Sequence, residues 1–164
     1  DPLAVDTVLG ADPRLAPWVR ANQGMRIPGV LDGNEALVRA IVGQGGTGKS
    51  ARAQLQRLVD ELGDELPDSF YDVPNGRNER SRITKLFPTP ATVASHAHSI
   101  VRGPRAQTDT LVRVCEALAD GSLQVDIADT REAMTKRLRS IKGIGPWTAD
   151  YLALRLLGNP DVHR

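Results

Sequence analysis

A chain of 164 residues, 40% of them apolar, is long enough for one domain with a buried core. Its single cysteine, Cys115, excludes a disulfide framework and a cysteine-built metal cluster, no apolar run approaches a bilayer span, and no basic-then-apolar start reads as a signal peptide; a reducing, cytoplasmic setting without a membrane partner is expected. The net charge is only +1, yet residues 131–164 carry a net +4, so the remainder carries −3, with acids clustered at Asp60, Glu61, Asp64, Glu65, Asp68 and Asp72. A basic stretch on an otherwise neutral domain suits nucleic acid.

Apolar periodicity predicts helices over 14–21, 34–43, 50–62, 90–99, 106–119, 130–139 and 146–157. Asp32 or Asn34, Thr89 before Pro90, and Thr130 before an acidic first turn are the expected N-caps, and Gly121 and Gly158 the expected stops. Trp18 and Cys115 read as core residues. The segment 66–88, rich in Pro, Asn and Arg, reads as a long loop, and Gln124–Ile127 as a short extended piece. Nothing else alternates like a strand, and the expected fold is all-α.

Gly43-Gln-Gly-Gly-Thr-Gly-Lys-Ser50 matches the phosphate-binding loop G-x-x-x-x-G-K-[ST]. In that reading Lys49 meets nucleotide phosphates and Ser50 holds magnesium. The pattern needs a buried strand ahead of it, however, and residues 37, 38, 41 and 42 form a helical stripe instead. A P-loop nucleotide-binding protein is therefore a distant alternative. The glycines at 45, 46 and 48 would cost roughly 1 kcal/mol each inside a helix, so the following helix is expected to start near Lys49. The free N–H groups ahead of it, with Lys49, would grip a phosphate without any nucleotide.

Residues 138–158 are the most informative. Gly143 and Gly145 flank Ile144 in a tight turn, and Pro146 then occupies the first helical position, where its missing N–H costs nothing. Trp147, Tyr151, Leu154 and Leu157 recur at helical spacing before Gly158. A helix that starts on a bare glycine turn leaves N–H groups free for an anion, which is how a helix-hairpin-helix holds a DNA phosphate.

Gly143-Ile-Gly-Pro-Trp-Thr-Ala-Asp-Tyr151 follows Arg26-Ile-Pro-Gly29, Arg39-Ala-Ile-Val-Gly-Gln44 and Leu86-Phe-Pro-Thr-Pro90. In this order and spacing the chain resembles the helix-hairpin-helix DNA glycosylases, most closely the bacterial 3-methyladenine DNA glycosylase II type, from about Leu15 to the last residue. The resemblance implies one glycosylase domain over 1–164 with its helix-hairpin-helix motif at 138–158. It implies base-excision repair of alkylated DNA, by hydrolysis of the N-glycosidic bond of a flipped base, and a monomer acting on duplex DNA in the cytoplasm. Phosphate would meet N–H groups of the hairpin Gly143-Ile144-Gly145 and of Thr148, with Lys142 adding an ion pair. Gln44 and Gly45 would form the turn that enters the minor groove, Gly45 standing where the family carries a bulky wedge. Carbonyls of Arg139, Ile141 and Gly143 would hold a monovalent cation; no other cofactor is implied.

Trp147 and Tyr151 would line the base pocket, since an electron-poor alkylated purine is drawn to π-faces; the alternative is that both pack the core. Trp147 also stands where glycosylase-lyases carry a lysine, which argues against Schiff-base chemistry. The family's catalytic Asp lies beyond a loop beginning like Asn159-Pro-Asp161-Val, past Arg164. The expectation is thus a C-terminally truncated domain with no catalytic residue of its own, Asp150 and Asp161 being the nearest substitutes. A non-catalytic helix-hairpin-helix DNA-binding protein is the second reading.

Overall fold

The computed structural model describes residues 2–67 and 83–158. Most of the 66–88 segment, with Asp68 and Asp72, lies outside the described residues, as do Asn159–Arg164 and hence Asp161. The described residues form α1 (Pro2–Gly10), α2 (Ala16–Ala21), α3 (Gly33–Val42), α4 (Gly48–Leu62), α5 (Pro90–Ile100), α6 (Arg105–Ala119), α7 (Arg131–Arg139) and α8 (Pro146–Leu157). One antiparallel bridge, Glu65 to Lys85, joins the described chain on either side of residues 68–82. No other pairing occurs among the described residues, and the all-α expectation holds.

Helix starts follow local chemistry. Asp32, rather than Asn34, caps α3: its Oδ1 accepts from the N–H groups of Asn34 (2.7 Å) and Glu35 (3.2 Å). Thr47, Thr89 and Thr130 cap α4, α5 and α7 through their hydroxyls, each accepting one N–H of the first turn. The cap on Thr47 draws Gly48 into α4, so this helix begins one residue before Lys49. Gly158 ends α8 at φ +64°, a left-handed conformation that favours glycine.

Helix α3 is the centre of the bundle. Leu37, Val38, Ile41 and Val42 are buried along one broad face of it, Arg39 being exposed opposite, and it packs against α4, α6 and α8. Leu58, Leu111, Met134, Leu138 and Leu152, from α4, α6, α7 and α8, complete the core. Burial of this kind contributes about 25 cal/mol per Å² of apolar surface. Cys115 is fully buried, as expected, and its desolvated surroundings push the thiol up to about 12.

Three expectations change. Helix α1 has no counterpart in the periodicity: Leu3, Val5, Val8 and Leu9 stay exposed, so no clean apolar stripe marks it. It packs mainly on α2, and Asp6 ties the pair to the following loop by accepting from the Gly24 N–H (2.7 Å) and from Arg26 (3.0 Å). Those two bonds, the Gly24 N–H first, hold the Asp6 carboxyl below the ordinary carboxylate range. Trp18 is not a core residue. It lies on α2, which has no buried residue, and is 72% exposed. Gln124–Ile127 is not a strand: Asp126 turns the chain, accepting from the Ala128 N–H (2.8 Å) and, through its carbonyl, from the Asp129 N–H (3.1 Å).

Candidate nucleic-acid interface

The hairpin between α7 and α8 is pinned from inside. Ile144 is 6% exposed and its N–H donates to the Ile141 carbonyl at 3.0 Å. This corrects the expectation for the Ile144 N–H: the side chain anchors the turn in the core and the N–H is already used, so Ile144 has no donor to offer a ligand. Gly143 sits at φ +98°, and a Cβ there would lie 2.0 Å from Thr110 Oγ1 on α6. Only glycine fits on both counts. Gly145 is extended (φ −90°, ψ 173°) with open space where its Cβ would be.

Pro146 opens α8 and no side chain caps it. The N–H groups of Gly143, Gly145, Trp147 and Thr148 find no acceptor among the described residues. They lie around the N-terminal, positive end of the α8 dipole, which favours an anion. Lys142 is exposed on the same hairpin.

A second turn faces the first. Gln44 leaves the end of α3 with its N–H on the Ile41 carbonyl (3.1 Å), and Gly45 follows at φ +68°. From Gly45 to Lys49 no backbone N–H is accepted within the described residues, and Lys49 is exposed in the first turn of α4. The Gln44 side chain reaches across to donate from Nε2 to Thr148 Oγ1 at 2.7 Å, and Thr148 is 2% exposed. Gln44 therefore stitches the two turns together, and its side chain is committed to that bond. A cleft of about 410 Å³ opens between them, lined by Gly43, Gln44, Gly45, Gly143, Gly145, Trp147 and Thr148. Gly45 adds no side chain to it.

Trp147 stands at this cleft 56% exposed, and its ring stacks on Tyr151 with centroids 5.4 Å apart and planes 15° from parallel. The buried face of α8 is Thr148, Ala149, Leu152, Ala153 and Leu156. The Trp147–Tyr151–Leu154–Leu157 stripe thus lies at the edge of the core, with Tyr151, Leu154 and Leu157 half-buried and Leu157 packed against it, and the reading of Trp147 as a core residue fails. The Arg155 guanidinium lies over the Tyr151 ring, 5.6 Å from its centroid. That i,i+4 contact was available in the sequence spacing and extends the aromatic pair into a three-membered stack.

Among the described residues no carboxylate lines the cleft. Asp150 is held toward α7, 3.5 Å from Arg131 Nη2, away from the lining. Among the backbone carbonyls of the hairpin, those of Arg139 and Gly143 accept no hydrogen bond within the described residues, whereas that of Ile141 takes the Ile144 N–H.

Helix α3 stands where a P-loop needs a strand, and no parallel sheet exists among the described residues. Titration with ATP or GTP and magnesium is expected to show no micromolar binding. Micromolar, magnesium-dependent binding that disappears in Lys49→Ala would restore the nucleotide reading.

No family model matches the chain. It is 33% identical to a Mycobacterium tuberculosis protein described as a probable bifunctional transcriptional activator/DNA repair enzyme AlkA, over 99% of this chain and 31% of that one. It is 33% identical to the Escherichia coli DNA-3-methyladenine glycosylase 2 over 82% of this chain and 45% of that one. The Schizosaccharomyces pombe 3-methyladenine DNA glycosylase Mag1, solved with abasic DNA, superposes with a TM-score of 0.68 at 24% identity, over 98% of this chain and 73% of that one. The chain spans about a third to a half of the length of the curated relatives it matches.

Proposed function

Because the chain belongs to the helix-hairpin-helix DNA glycosylase superfamily, of the 3-methyladenine glycosylase II type, we propose that it grips duplex DNA at the two turns and holds an extruded alkylated base against Trp147, in a protein that hydrolyses the N-glycosidic bond. The observation that carries this is the exposed Trp147–Tyr151 stack at the mouth of a cleft whose two walls both end in free N–H groups. Such a cleft separates two tasks. The N–H groups with Lys49 and Lys142 neutralise phosphates and carry no base information, while the indole offers a π-face to a flat, electron-poor ring.

The carbonyls of Arg139, Ile141 and Gly143 form an uncharged oxygen set that suits a monovalent cation, which would add positive charge beside the same phosphate. The family resemblance supports a monomer acting in the cytoplasm. No helix among the described residues is long and apolar enough to cross a membrane.

Bond hydrolysis needs a carboxylate beside the oxocarbenium-like sugar. With none lining the cleft and Asp150 engaged by Arg131, that carboxylate comes from outside the described residues. The same observation favours a second reading, in which the described residues are a DNA-binding unit without base chemistry.

The first test is binding of an undamaged duplex at several salt concentrations. Affinity is expected to fall as salt rises, and Lys142→Ala to reduce the log–log slope by about 1 on every sequence tried. Binding that ignores salt would rule out the phosphate grip.

A further inference from the structure

We propose that Gln107 is a positioning residue for the Gly43–Lys49 turn, and that one face of α6 sets the spacing of the two phosphate-binding turns. The proposal rests on the DNA-binding reading of those turns. Its origin is a set of long-range hydrogen bonds that serve no other element. Gln107 lies in the first turn of α6, and its Nε2 points at the C-terminal end of α3. There it donates to the carbonyls of Ile41 (2.6 Å) and Gln44 (2.9 Å), with that of Val42 at 3.3 Å. The Ile41 carbonyl also takes the Gln44 N–H, so Gln107 is an added donor there, whereas those of Val42 and Gln44 accept no other hydrogen bond among the described residues. Gly103 leaves room for the amide: a Cβ there would lie 2.8 Å from Gln107 Oε1.

The brace sits where it has most to do. Directly after Gln44 the chain runs through Gly45, Gly46 and Gly48, none of which meets another atom within 4 Å of its Cβ position. A glycine-rich, uncontacted turn has many conformations available, and ordering it on binding costs entropy. Gln107 holds the last ordered carbonyl before that run. The Gln44 side chain, on the same residue, holds Thr148.

Two turns further along α6 the same device recurs. Arg113 Nη2 donates to the Lys142 carbonyl at 3.2 Å and to Thr110 Oγ1 at 3.2 Å, and Thr110 donates to the Ala106 carbonyl at 2.8 Å. Lys142 is the residue just before the free N–H groups of the hairpin. Gln107, Thr110 and Arg113 are three residues apart and share one helix face. A single rigid helix thus holds both turns by the carbonyl that precedes each set of free donors, and the distance between the two phosphate grips is built in before DNA arrives. Preorganisation of this kind lowers the ordering cost of binding.

The test is a double-mutant cycle read by the salt dependence of undamaged-duplex binding. Gln107→Met keeps the length of the side chain and removes its donors. It is expected to lower the log–log slope by about 1, the contribution of the Lys49 turn, while a melting curve shows the fold retained. In that background Lys49→Ala should change the slope no further, whereas Lys142→Ala should still lower it by about 1. A general loss of stability would not distinguish Lys49 from Lys142. An unchanged slope in Gln107→Met, or effects of Gln107→Met and Lys49→Ala that simply add, overturns the positioning role alone. Absence of salt-dependent binding by the unaltered chain overturns the DNA reading and this proposal together. Should Gln107→Met not fold, Gln107→Glu keeps the test alive. Carbonyl oxygens around its carboxyl favour the protonated form, which can donate again, so affinity relative to the unaltered chain should recover on acidification, and a flat ratio overturns the proposal.

Discussion

Replacing Gly143 by alanine is expected to lower the melting temperature by about 6–12 °C, the largest stability effect of any single change at the interface. Two costs add. A residue with a Cβ at φ +98° loses about 1–2 kcal/mol to backbone sterics. The added methyl also meets Thr110 Oγ1 at 2.0 Å and Thr110 Cγ2 at 2.8 Å, an overpacking worth about 1–3 kcal/mol more. Together they come to on the order of 3 kcal/mol, a large share of the roughly 5–15 kcal/mol that keeps a domain folded. Thr110 is itself buried on α6 and cannot swing into solvent. Thermal melts of Gly143→Ala and Gly145→Ala side by side check this: Gly145 has open space and an ordinary φ, so its variant should stay within about 0.5 kcal/mol of the parent. Equal melting of all three proteins would mean that the hairpin is not held against α6. Trimming the neighbour in Gly143→Ala/Thr110→Ala should recover the packing part and leave the dihedral part.

Trp147→Ala is expected to leave the fold and undamaged-duplex binding close to those of the parent and to weaken capture of the extruded base. The indole is 56% exposed, so little core is lost with it. Base–aromatic stacking is worth about 1–3 kcal/mol per base, so capture should weaken roughly tenfold to a hundredfold. Tyr151 remains behind it, stacked and backed by Arg155, so a partial aromatic surface survives. Undamaged-duplex affinity and its salt slope should not move, because the proposed phosphate grips use backbone N–H groups and lysines rather than the indole. A loss of affinity for every duplex alike would place Trp147 in the phosphate grip instead.

What could be read in advance was what neighbouring residues decide. Asp32, Thr89, Thr130 and Gly158 mark their helix ends through bonds or dihedrals within a few residues, and each is where its type and spacing place it. The glycine hairpin and the glycine turn were legible for the same reason. The face that α8 buries was not, because Thr148 and Ala149 outrank Trp147 only through the fit against α3 and α7. Trp18 misled because an aromatic on a short helix reads as core unless one knows that nothing packs over it. Gln107 gave no local signal at all. Its partners are 63 to 66 residues away, and a glutamine near a helix start looks like any other surface residue. Ile144 looked like part of the binding loop and is instead its anchor.

In the proposed function an extruded alkylated base rests on Trp147 while the two turns hold the backbone. The deciding measurement is release of free base from methylated duplex DNA, followed together with strand cleavage, in the protein that carries this chain. The expected result is release of methylated purine without strand cleavage by the unaltered protein, reduced roughly tenfold to a hundredfold in Trp147→Ala. Release that is undiminished in Trp147→Ala would contradict the account.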